Sequence, residues 1–242
     1  MSGVAPGAAW QQPDLVDTFL RERQQLLPML EVQEALIERL FQRSECPLRR
    51  FLDIGAGDGA MTQLVRRVEP SAEAVLVDYS EPMLAHAEQR LGAARGWRAV
   101  RGDLRDPAWR EALPAGGYDA VVSGMAIHHL PAARKRALFA EIYELLEPGA
   151  MFVNMDFVAI VGPLAGLFDE QMVANAISAE HAHHGARSDD QVEQELLADG
   201  DDDQPDSLQD QLRWLADAGF EQPEVHFKWA EAAVLGGTRP AQ

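Results

Sequence analysis

Three glycines follow a short apolar run and precede a helical stretch, an arrangement typical of a ligand-binding loop. The run FLDI leads directly into GAGDGAM, so Gly55, Gly57 and Gly59 lie where a strand gives way to a helix. Glycines allow a tight turn and let backbone N–H groups approach a ligand, and a helix N-terminus favours a negative group such as phosphate or carboxylate. We therefore predict a ligand-binding loop at the carboxyl end of the first parallel strand, where open α/β sheets bind their ligands.

An acidic residue downstream of this loop indicates a nucleoside cofactor. The loop also fits the pattern G-x-G-x-x-A through Gly55, Gly57 and Ala60, and Asp78 lies near the spacing at which such proteins place a ribose-binding acid. A carboxylate suits that role because it accepts two hydrogen bonds side by side. The pattern does not identify the cofactor, and a tight turn without a ligand is the structural alternative.

Two adjacent histidines, His128 and His129, follow the apolar run YDAVVSGMAI. A histidine whose pKa lies near neutrality is a natural general base. The alternative is that one or both only hold the loop in place. We take both as catalytic candidates and place His128 first.

A second histidine group, His181, His183 and His184, lies beside Glu180 in an acidic segment. Imidazoles and carboxylates can bind metals, but this spacing matches no defined metal motif. A solvated helix face explains it more simply, so we predict no metal site, and contact with the substrate is a further alternative.

The elements that must position these residues follow a βαβ rhythm from Arg50 onward. Short apolar runs (FLDI, AVLV, RAVRG, YDAVVS and AMFVNM) alternate with stretches of helical spacing. The predicted helices are residues 60–68, 81–91, 107–113 and 131–146, and Pro148-Gly149 is expected to stop the last one.

The two ends of the chain have patterns of their own. Apolar spacing before residue 42 predicts two helices separated at Pro28. Near the other end, a helix through Leu208 and Leu215 should stop at Gly219. The runs EVHFKWA and AAVLGG that follow are too close together for a helical crossover and should pair as an antiparallel hairpin.

Between Asp156 and that last helix the strand rhythm lapses for about 50 residues. The interval from Asp169 to Asp210 holds 13 acidic residues against one basic residue, Arg187. It is expected to be a helical cover or a mobile lid, with residues 200–206 as its flexible part. It could be a plain solvated face, or its field could select cationic acceptors.

Taken in order, these motifs resemble the class I S-adenosylmethionine-dependent methyltransferases. The resemblance covers about residues 51–156, and the tail is similar to the small-molecule branch of that family. The matching segments are DIGAGDG, LVDYSEPML with Asp78, VRGDL with Asp103, YDAVVSGMAIHHL and LLEPGAMFVN.

The resemblance implies a set of cofactor-binding positions for S-adenosylmethionine. These positions are Asp53, Gly55, Ala56, Gly57, Asp78, Tyr79, Met83, Gly102, Asp103, Leu104, Ser123 and Gly124. The loop would line the methionine moiety and Asp53 would help to hold its ammonium. Asp78 would accept from the ribose hydroxyls and Asp103 from the adenine amino group, with Met83 on the ring. Ser123 and Gly124 would border the sulfonium.

The fold that the resemblance implies is a doubly wound, Rossmann-like α/β sheet of seven strands with the last strand antiparallel. A helical N-terminal cap and an insertion before the last two strands would cover its carboxyl edge. The expected division is residues 1–48 for the cap, 49–156 for the core, 157–207 for the insertion and 208–242 for the closing helix and hairpin.

The expected reaction is methyl transfer to a small molecule with release of S-adenosylhomocysteine. The protein would mainly orient the reactants and exclude water, so a base is optional. The acceptor, its accepting atom and the oligomeric state are left open. The alternatives are an NAD(P)-dependent oxidoreductase, an enzyme that carboxylates the cofactor itself, and a module that binds the cofactor without methyl transfer.

The composition and charge of the chain limit the kinds of partner that it is expected to bind. The 242 residues carry 39 acidic and 21 basic side chains, a net charge of -18, which argues against a broad nucleic-acid surface and against anionic lipid. A single cysteine, Cys46, cannot form an internal disulfide. With no basic, apolar leader and no apolar run of membrane-spanning length, a cytoplasmic protein is expected.

Overall fold

A seven-stranded sheet lies at the centre of the computed structural model, which describes residues 8–93, 96–182, 185–198 and 203–241. Its strands are β1 (Arg50–Ile54), β2 (Glu73–Asp78), β3 (Trp97–Arg101), β4 (Tyr118–Gly124), β5 (Leu146–Phe157), β6 (Glu221–Trp229) and β7 (Ala232–Thr238). They lie in the order β3-β2-β1-β4-β5-β7-β6. The first five strands are parallel, and β7 is antiparallel to both β5 and β6. The predicted fold class and the closing hairpin are confirmed.

The central strands are apolar on both faces because helices cover both sides of the sheet. Along β1, Phe51 packs into one core cluster, whereas Leu52 and Ile54 belong to the other. Neighbouring residues of a strand point to opposite faces, so a strand covered on both sides needs a nearly continuous apolar run. This explains why runs such as FLDI show no polar alternation.

Apart from α6 and α7, whose bounds were not predicted, the α-helices agree closely with the predicted stretches. They are α1 (Pro13–Leu26), α2 (Leu30–Arg43), α3 (Ala60–Val68), α4 (Glu81–Leu91), α5 (Ala132–Leu145), α6 (Leu167–Ala182), α7 (Asp189–Ala198) and α8 (Leu208–Ala218). Pro28 lies in the turn between α1 and α2, as predicted. Gly219 ends α8 at a φ of 108°, a left-handed conformation that glycine adopts without steric cost.

Two local predictions were wrong. Residues 107–113 form a short 3₁₀ helix, Pro107–Ala112, capped by the Asp106 carboxylate on the Ala108 N–H. The helix before the fifth strand stops at Leu145 without help from Pro148-Gly149, because Leu146 already has extended backbone and pairs with Tyr118. The Pro-Gly pair therefore lies inside β5, beside a shift of strand register.

The interval between β5 and α8 is partly helical. It contains α6 and α7, and α6 packs against α1. Glu231, in the turn between β6 and β7, accepts hydrogen bonds from the N–H groups of Gly166 and Phe168 and so fixes the start of α6. The division of the chain into cap, core, insertion and closing hairpin stays a prediction.

The order of strands reverses between β1 and β4, and open parallel sheets bind ligands beyond the carboxyl ends of the strands at such a point. The glycine loop after β1 and the histidine pair after β4 therefore lie at the same edge. Within the described ranges, no helix combines the length and the apolar character needed to cross a bilayer.

The core under β5 offers a direct test of this packing. Phe139 of α5 is fully buried, with its ring centroid 5.8 Å from that of Phe152 on β5. Phe139→Ala should lower the free energy of unfolding by about 3–5 kcal/mol, because it removes buried apolar surface and leaves a cavity. Urea unfolding followed by circular dichroism would measure it. Val161→Ala, at a residue that is 94% exposed, is the control and should change stability by less than about 0.5 kcal/mol.

Candidate active site

The loop after β1 is a tight turn in which glycine is required. Gly55, Gly57 and Gly59 all have positive φ, at 61°, 53° and 76°. A Cβ at residue 55 would lie 2.2 Å from the Cβ of Ala126, so the loop packs directly against the segment that leads to the histidine pair. At residue 57 the nearest atom to a Cβ would be the Met83 Sδ at 3.7 Å, which leaves room above the loop.

Asp53, at the end of β1, is fully buried beneath this loop. Its Oδ2 accepts hydrogen bonds from the Thr62 backbone N–H at 2.9 Å and hydroxyl at 2.7 Å. Its Oδ1 has no hydrogen-bond partner among the described residues. Burial raises the pKa of Asp53 to about 7, the Thr62 hydrogen bonds oppose that rise, and Asp78 and Asp58 add to it. A buried oxygen without a donor beside the loop fits a ligand that brings a cationic N–H group.

Asp78, at the end of β2, ties the loop to its neighbouring strand. Its Oδ2 accepts from the Gly57 N–H and its Oδ1 from the Ser80 N–H, both at 2.8 Å. Burial raises the pKa of Asp78, and these backbone hydrogen bonds oppose the rise. The Tyr79 backbone N–H also hydrogen-bonds to this carboxylate, and since a carboxylate has about four acceptor positions, about one stays available for a ligand hydroxyl.

Asp103 lies after β3 beside an open cleft of about 700 Å³. Its carboxylate pairs with the Arg105 guanidinium, with N–O distances of 2.8–3.0 Å. Arg105 in turn lies over the Tyr79 ring, 4.9 Å from its centroid. The structure therefore places Asp103, Tyr79 and Gly102 along one cleft, and it adds Arg105 as a partner of the predicted adenine acceptor.

Three other predicted cofactor positions, Ser123, Gly124 and Leu104, also have close contacts within the scaffold. The Ser123 hydroxyl is buried and donates to the Ile54 carbonyl at 2.9 Å, which joins β4 to β1. A Cβ at Gly124 would lie 2.7 Å from the Met61 Cγ. The Leu104 carbonyl accepts from Arg134 Nε at 2.6 Å.

His128 is held rigidly by Asp156 at the end of β5. The Asp156 Oδ2 accepts from the His128 backbone N–H at 3.0 Å, and its Oδ1 lies 2.5 Å from the ring Nδ1. The ring Nε2 lies 3.4 Å from Asp203 Oδ1, and the side chain is 3% exposed. Burial alone would lower the pKa of His128, but the carboxylates of Asp156 and Asp203 outweigh it and raise the pKa to about 9.

His129 has the more accessible ring of the pair. Its Nδ1 lies 2.9 Å from Asp203 Oδ1, and its side chain is 29% exposed. Its ring centroid lies 3.9 Å from that of His128, with the two planes tilted by 47°, and 6.2 Å from that of Trp10. Accessibility therefore favours His129 as the group that meets a ligand, although the sequence placed His128 first.

Sequence reasoning missed Asp156 and Asp203, the two acids that organise this pair. Asp156 could have been found, because it ends a predicted parallel strand. Asp203 could not, because nothing in an acidic run distinguishes one carboxylate from its neighbours.

The segment 203–206, which we call the strap, is held firmly in place. The Gln204 N–H donates to the His128 carbonyl, and the Ala159 N–H donates to the Asp206 carbonyl, both at 3.0 Å. The buried Lys135 ammonium donates to the Asp206 carboxylate at 2.7 Å. The predicted flexibility of residues 200–206 stays a prediction. The strap has these contacts, and residues 200–202 lie outside the described ranges.

The other histidine group lies apart from these contacts. His181 is exposed on α6, with its Nε2 2.8 Å from Asp189 Oδ1. His183 and His184 lie outside the described residues.

The start of the described chain covers the cleft. The Trp10 carbonyl accepts a hydrogen bond from the Ser80 hydroxyl, and Gln11 Nε2 donates to the Tyr79 carbonyl at 3.0 Å. Arg23 of α1 reaches Asp58 of the glycine loop at 3.0 Å. These contacts place the N-terminal segment against the residues that follow Asp78.

Comparison with known proteins finds a matching family model and several similar proteins. A family model described as a methyltransferase domain matches residues 52–152. The chain is 27% identical over 197 residues to a carboxy-S-adenosyl-L-methionine synthase of Shewanella amazonensis, covering 79% of this chain and 76% of the relative. It is 35% identical over 109 residues to a demethylmenaquinone methyltransferase of Thermus thermophilus, covering 45% and 47%.

A solved structure titled "PigF with SAH" has the same fold. It matches with a TM-score of 0.64 at 20% identity and covers 95% of this chain. The chain spans 61% of the length of that protein and about half the length of the demethylmenaquinone methyltransferase.

Two matched glycine substitutions would test whether the loop holds the expected cofactor. Gly57 and Gly92 have nearly equal φ, 53° and 57°, and neither would clash with its surroundings as alanine. Each alanine should lower stability, by about 1–3 kcal/mol, and Gly92→Ala by the larger amount, because its φ of 57° with a ψ of -152° lies in a region that only glycine adopts readily. Only Gly57→Ala should also weaken S-adenosylhomocysteine binding, by more than about tenfold, since its methyl group would enter the space above the loop. Equal affinities of the two variants in calorimetric titration would contradict this assignment.

Proposed function

We propose that this chain, which belongs to the class I S-adenosylmethionine-dependent methyltransferases, transfers the cofactor's methyl group to a small-molecule acceptor and releases S-adenosylhomocysteine. The observation that carries the proposal is the buried Asp53 Oδ1, which lacks a partner beside the glycine loop. The ammonium of the methionine moiety is a suitable donor for that oxygen.

The remaining cofactor positions suit the other parts of the molecule. The remaining acceptor position of Asp78 would take a ribose hydroxyl, and the space above Gly57 would take the chain between ribose and methionine. Met83, which is buried and borders that space, would pack against the ligand. Asp103, held by Arg105, would accept from the adenine amino group.

The acceptor end would lie at the histidine pair. The cofactor supplies a methyl group on a positively charged sulfur, which is already a good leaving group. The protein's share is then to orient the acceptor and keep water out. His129 would contact the acceptor, while His128, locked between Asp156 and Asp203, would hold that wall of the site.

Cofactor carboxylation is a second candidate, because the Shewanella relative matches most of the chain. An anionic co-substrate would need a positive pocket. The described acceptor end instead has the carboxylates of Asp156, Asp203 and Asp169, and the pKa of Asp169 is raised by burial and by the nearby Glu231 and Asp203. This charge distribution favours methyl transfer. The nicotinamide alternative is set aside by the family membership.

Calorimetric titration with S-adenosylhomocysteine and, in parallel, with NAD is the first test. Micromolar binding of the former alone, about -8 kcal/mol, is expected. The protein would then be incubated with methyl-labelled S-adenosylmethionine and a panel of small acceptors, with products followed by mass spectrometry. Label on an acceptor supports the proposal. Binding of NAD alone, a carboxylated cofactor, or cofactor binding without transfer to any acceptor would contradict it.

Binding should also release a proton near neutral pH. Asp53, with a pKa of about 7 in the free protein, should become fully ionised when an ammonium lies beside its carboxylate, so its pKa falls on binding. Linkage then predicts release of roughly half a proton at pH 7, more at pH 6 and almost none at pH 8.5. Affinity should rise with pH up to about 7 and level off above it.

Titrations in buffers of different ionisation enthalpy would measure this release. Asp53→Asn is the matched variant, because it keeps the side-chain shape and cannot titrate. Persistence of the release in Asp53→Asn would show that another group is responsible.

A further inference from the structure

We infer that His128, His129 and Asp203 form a binding site for one divalent transition-metal cation at the acceptor end of the cleft. The three side chains come from two distant parts of the sequence, and one ligand atom of each lies within 4.8 Å of the other two. The location at the acceptor end rests on the proposed function, but the site itself rests on these side chains alone.

The distances between the donor atoms suit a common ligand sphere. Asp203 Oδ1 lies 2.9 Å from His129 Nδ1 and 3.4 Å from His128 Nε2. Atoms that bind one metal at about 2.0–2.2 Å are separated from each other by roughly 2.9–3.5 Å in octahedral or tetrahedral arrangements. The longer of the two contacts exceeds the usual length of an N–H···O hydrogen bond, which is about 2.7–3.2 Å.

The orientation of His128 is that of a metal-binding histidine. Asp156 engages its Nδ1 and its backbone N–H, so Nε2 is directed toward Asp203. Histidines that bind metals commonly donate their other ring N–H to a carboxylate, which fixes the tautomer and the ring plane. The buried Asp156 supplies that carboxylate.

The carboxylate ligand is held in position in advance. Asp203 begins the strap, whose Gln204 N–H donates to the His128 carbonyl. Further along, Lys135 binds Asp206. A strap fixed at these points keeps Asp203 beside both histidines.

Charge and donor type narrow the choice of cation. A bound cation would replace the proton that His128 carries at neutral pH. With both histidines then neutral, the carboxylates of Asp156 and Asp203 leave two negative charges, which a divalent ion balances. Imidazole ligands favour zinc, iron, cobalt or nickel over magnesium and calcium. Three protein ligands leave positions open for an acceptor. The expected acceptors are therefore molecules whose oxygen or nitrogen can bind the cation and be oriented by it.

Metal titration of the full chain, stripped with a chelator and free of cofactor, tests this inference. Zn²⁺ binding would be followed by calorimetry, and Co²⁺ binding by its visible absorption, which reports nitrogen and oxygen ligands directly. One equivalent is expected. Asp203→Asn and His129→Gln keep size and polarity at partly exposed positions and should each weaken binding by more than about tenfold.

His181→Ala is the matched control, because His181 also lies beside an aspartate but is exposed on α6. It should leave the single site unchanged. Three results would each overturn the inference. They are no binding when the metal is in 100-fold excess over the protein, an unchanged metal affinity in Asp203→Asn, and loss of metal binding in His181→Ala. The first two results would leave the three groups as a hydrogen-bonded network.

S-adenosylhomocysteine titration of the same metal-free samples separates this inference from the proposed function. Retained cofactor binding in Asp203→Asn and His129→Gln shows that these variants fold. Metal binding can then fail while cofactor binding is retained. Metal binding without cofactor binding would be detected in the same way.

Discussion

Burial of carboxylates at the ends of parallel strands is the constraint on which the rest of the structure depends. Asp53, Asp78 and Asp156 end β1, β2 and β5, and each is at least nine-tenths buried. A buried charge is costly unless hydrogen bonds compensate for its lost hydration. Each of these acids therefore requires backbone N–H donors from the segment that follows a strand.

The donors that meet this requirement are the segments that form the site. Thr62 at the start of α3 donates to Asp53, Gly57 of the glycine loop donates to Asp78, and His128 after β4 donates to Asp156. One set of acids thus shapes the loop, links it to the neighbouring strand and fixes the histidine pair. Of the three carboxylates, Asp53 keeps one oxygen, Oδ1, without a hydrogen-bond partner among the described residues.

Two segments cover the edge of the sheet at which these carboxylates lie. The N-terminal segment reaches it through Trp10, Gln11 and Arg23, and the strap reaches it through Asp203. Both come from outside the run of parallel strands and meet at the histidine pair, where Trp10 lies near His129. The N-terminal segment therefore contacts both the residues that follow Asp78 and the histidine pair, and the strap contacts the histidine pair.

The sequence by itself determined the features that depend on short-range pattern. Period-two and period-3.6 spacing located the strands and most helices, while the glycines of the loop and the acid at Asp78 indicated a nucleoside cofactor. Such features are local because backbone conformation and the burial of one face act over a few residues. The end of the helix before β5 was not determined locally. Pro148-Gly149 was expected to stop it, but the pairing of Leu146 in β5 with Tyr118 in β4 ends it earlier.

Only the tertiary structure decided which acids meet which histidines. Asp203 lies far along the chain from His129, in a run of acidic residues that are alike in sequence, and its place is set by Lys135, Gln204 and the end of β5. The unequal exposure of His128 and His129 is also set by tertiary contacts, because the two side chains are adjacent in sequence but have different neighbours in space. Those contacts depend on the packing of remote elements, and no spacing along the chain encodes them.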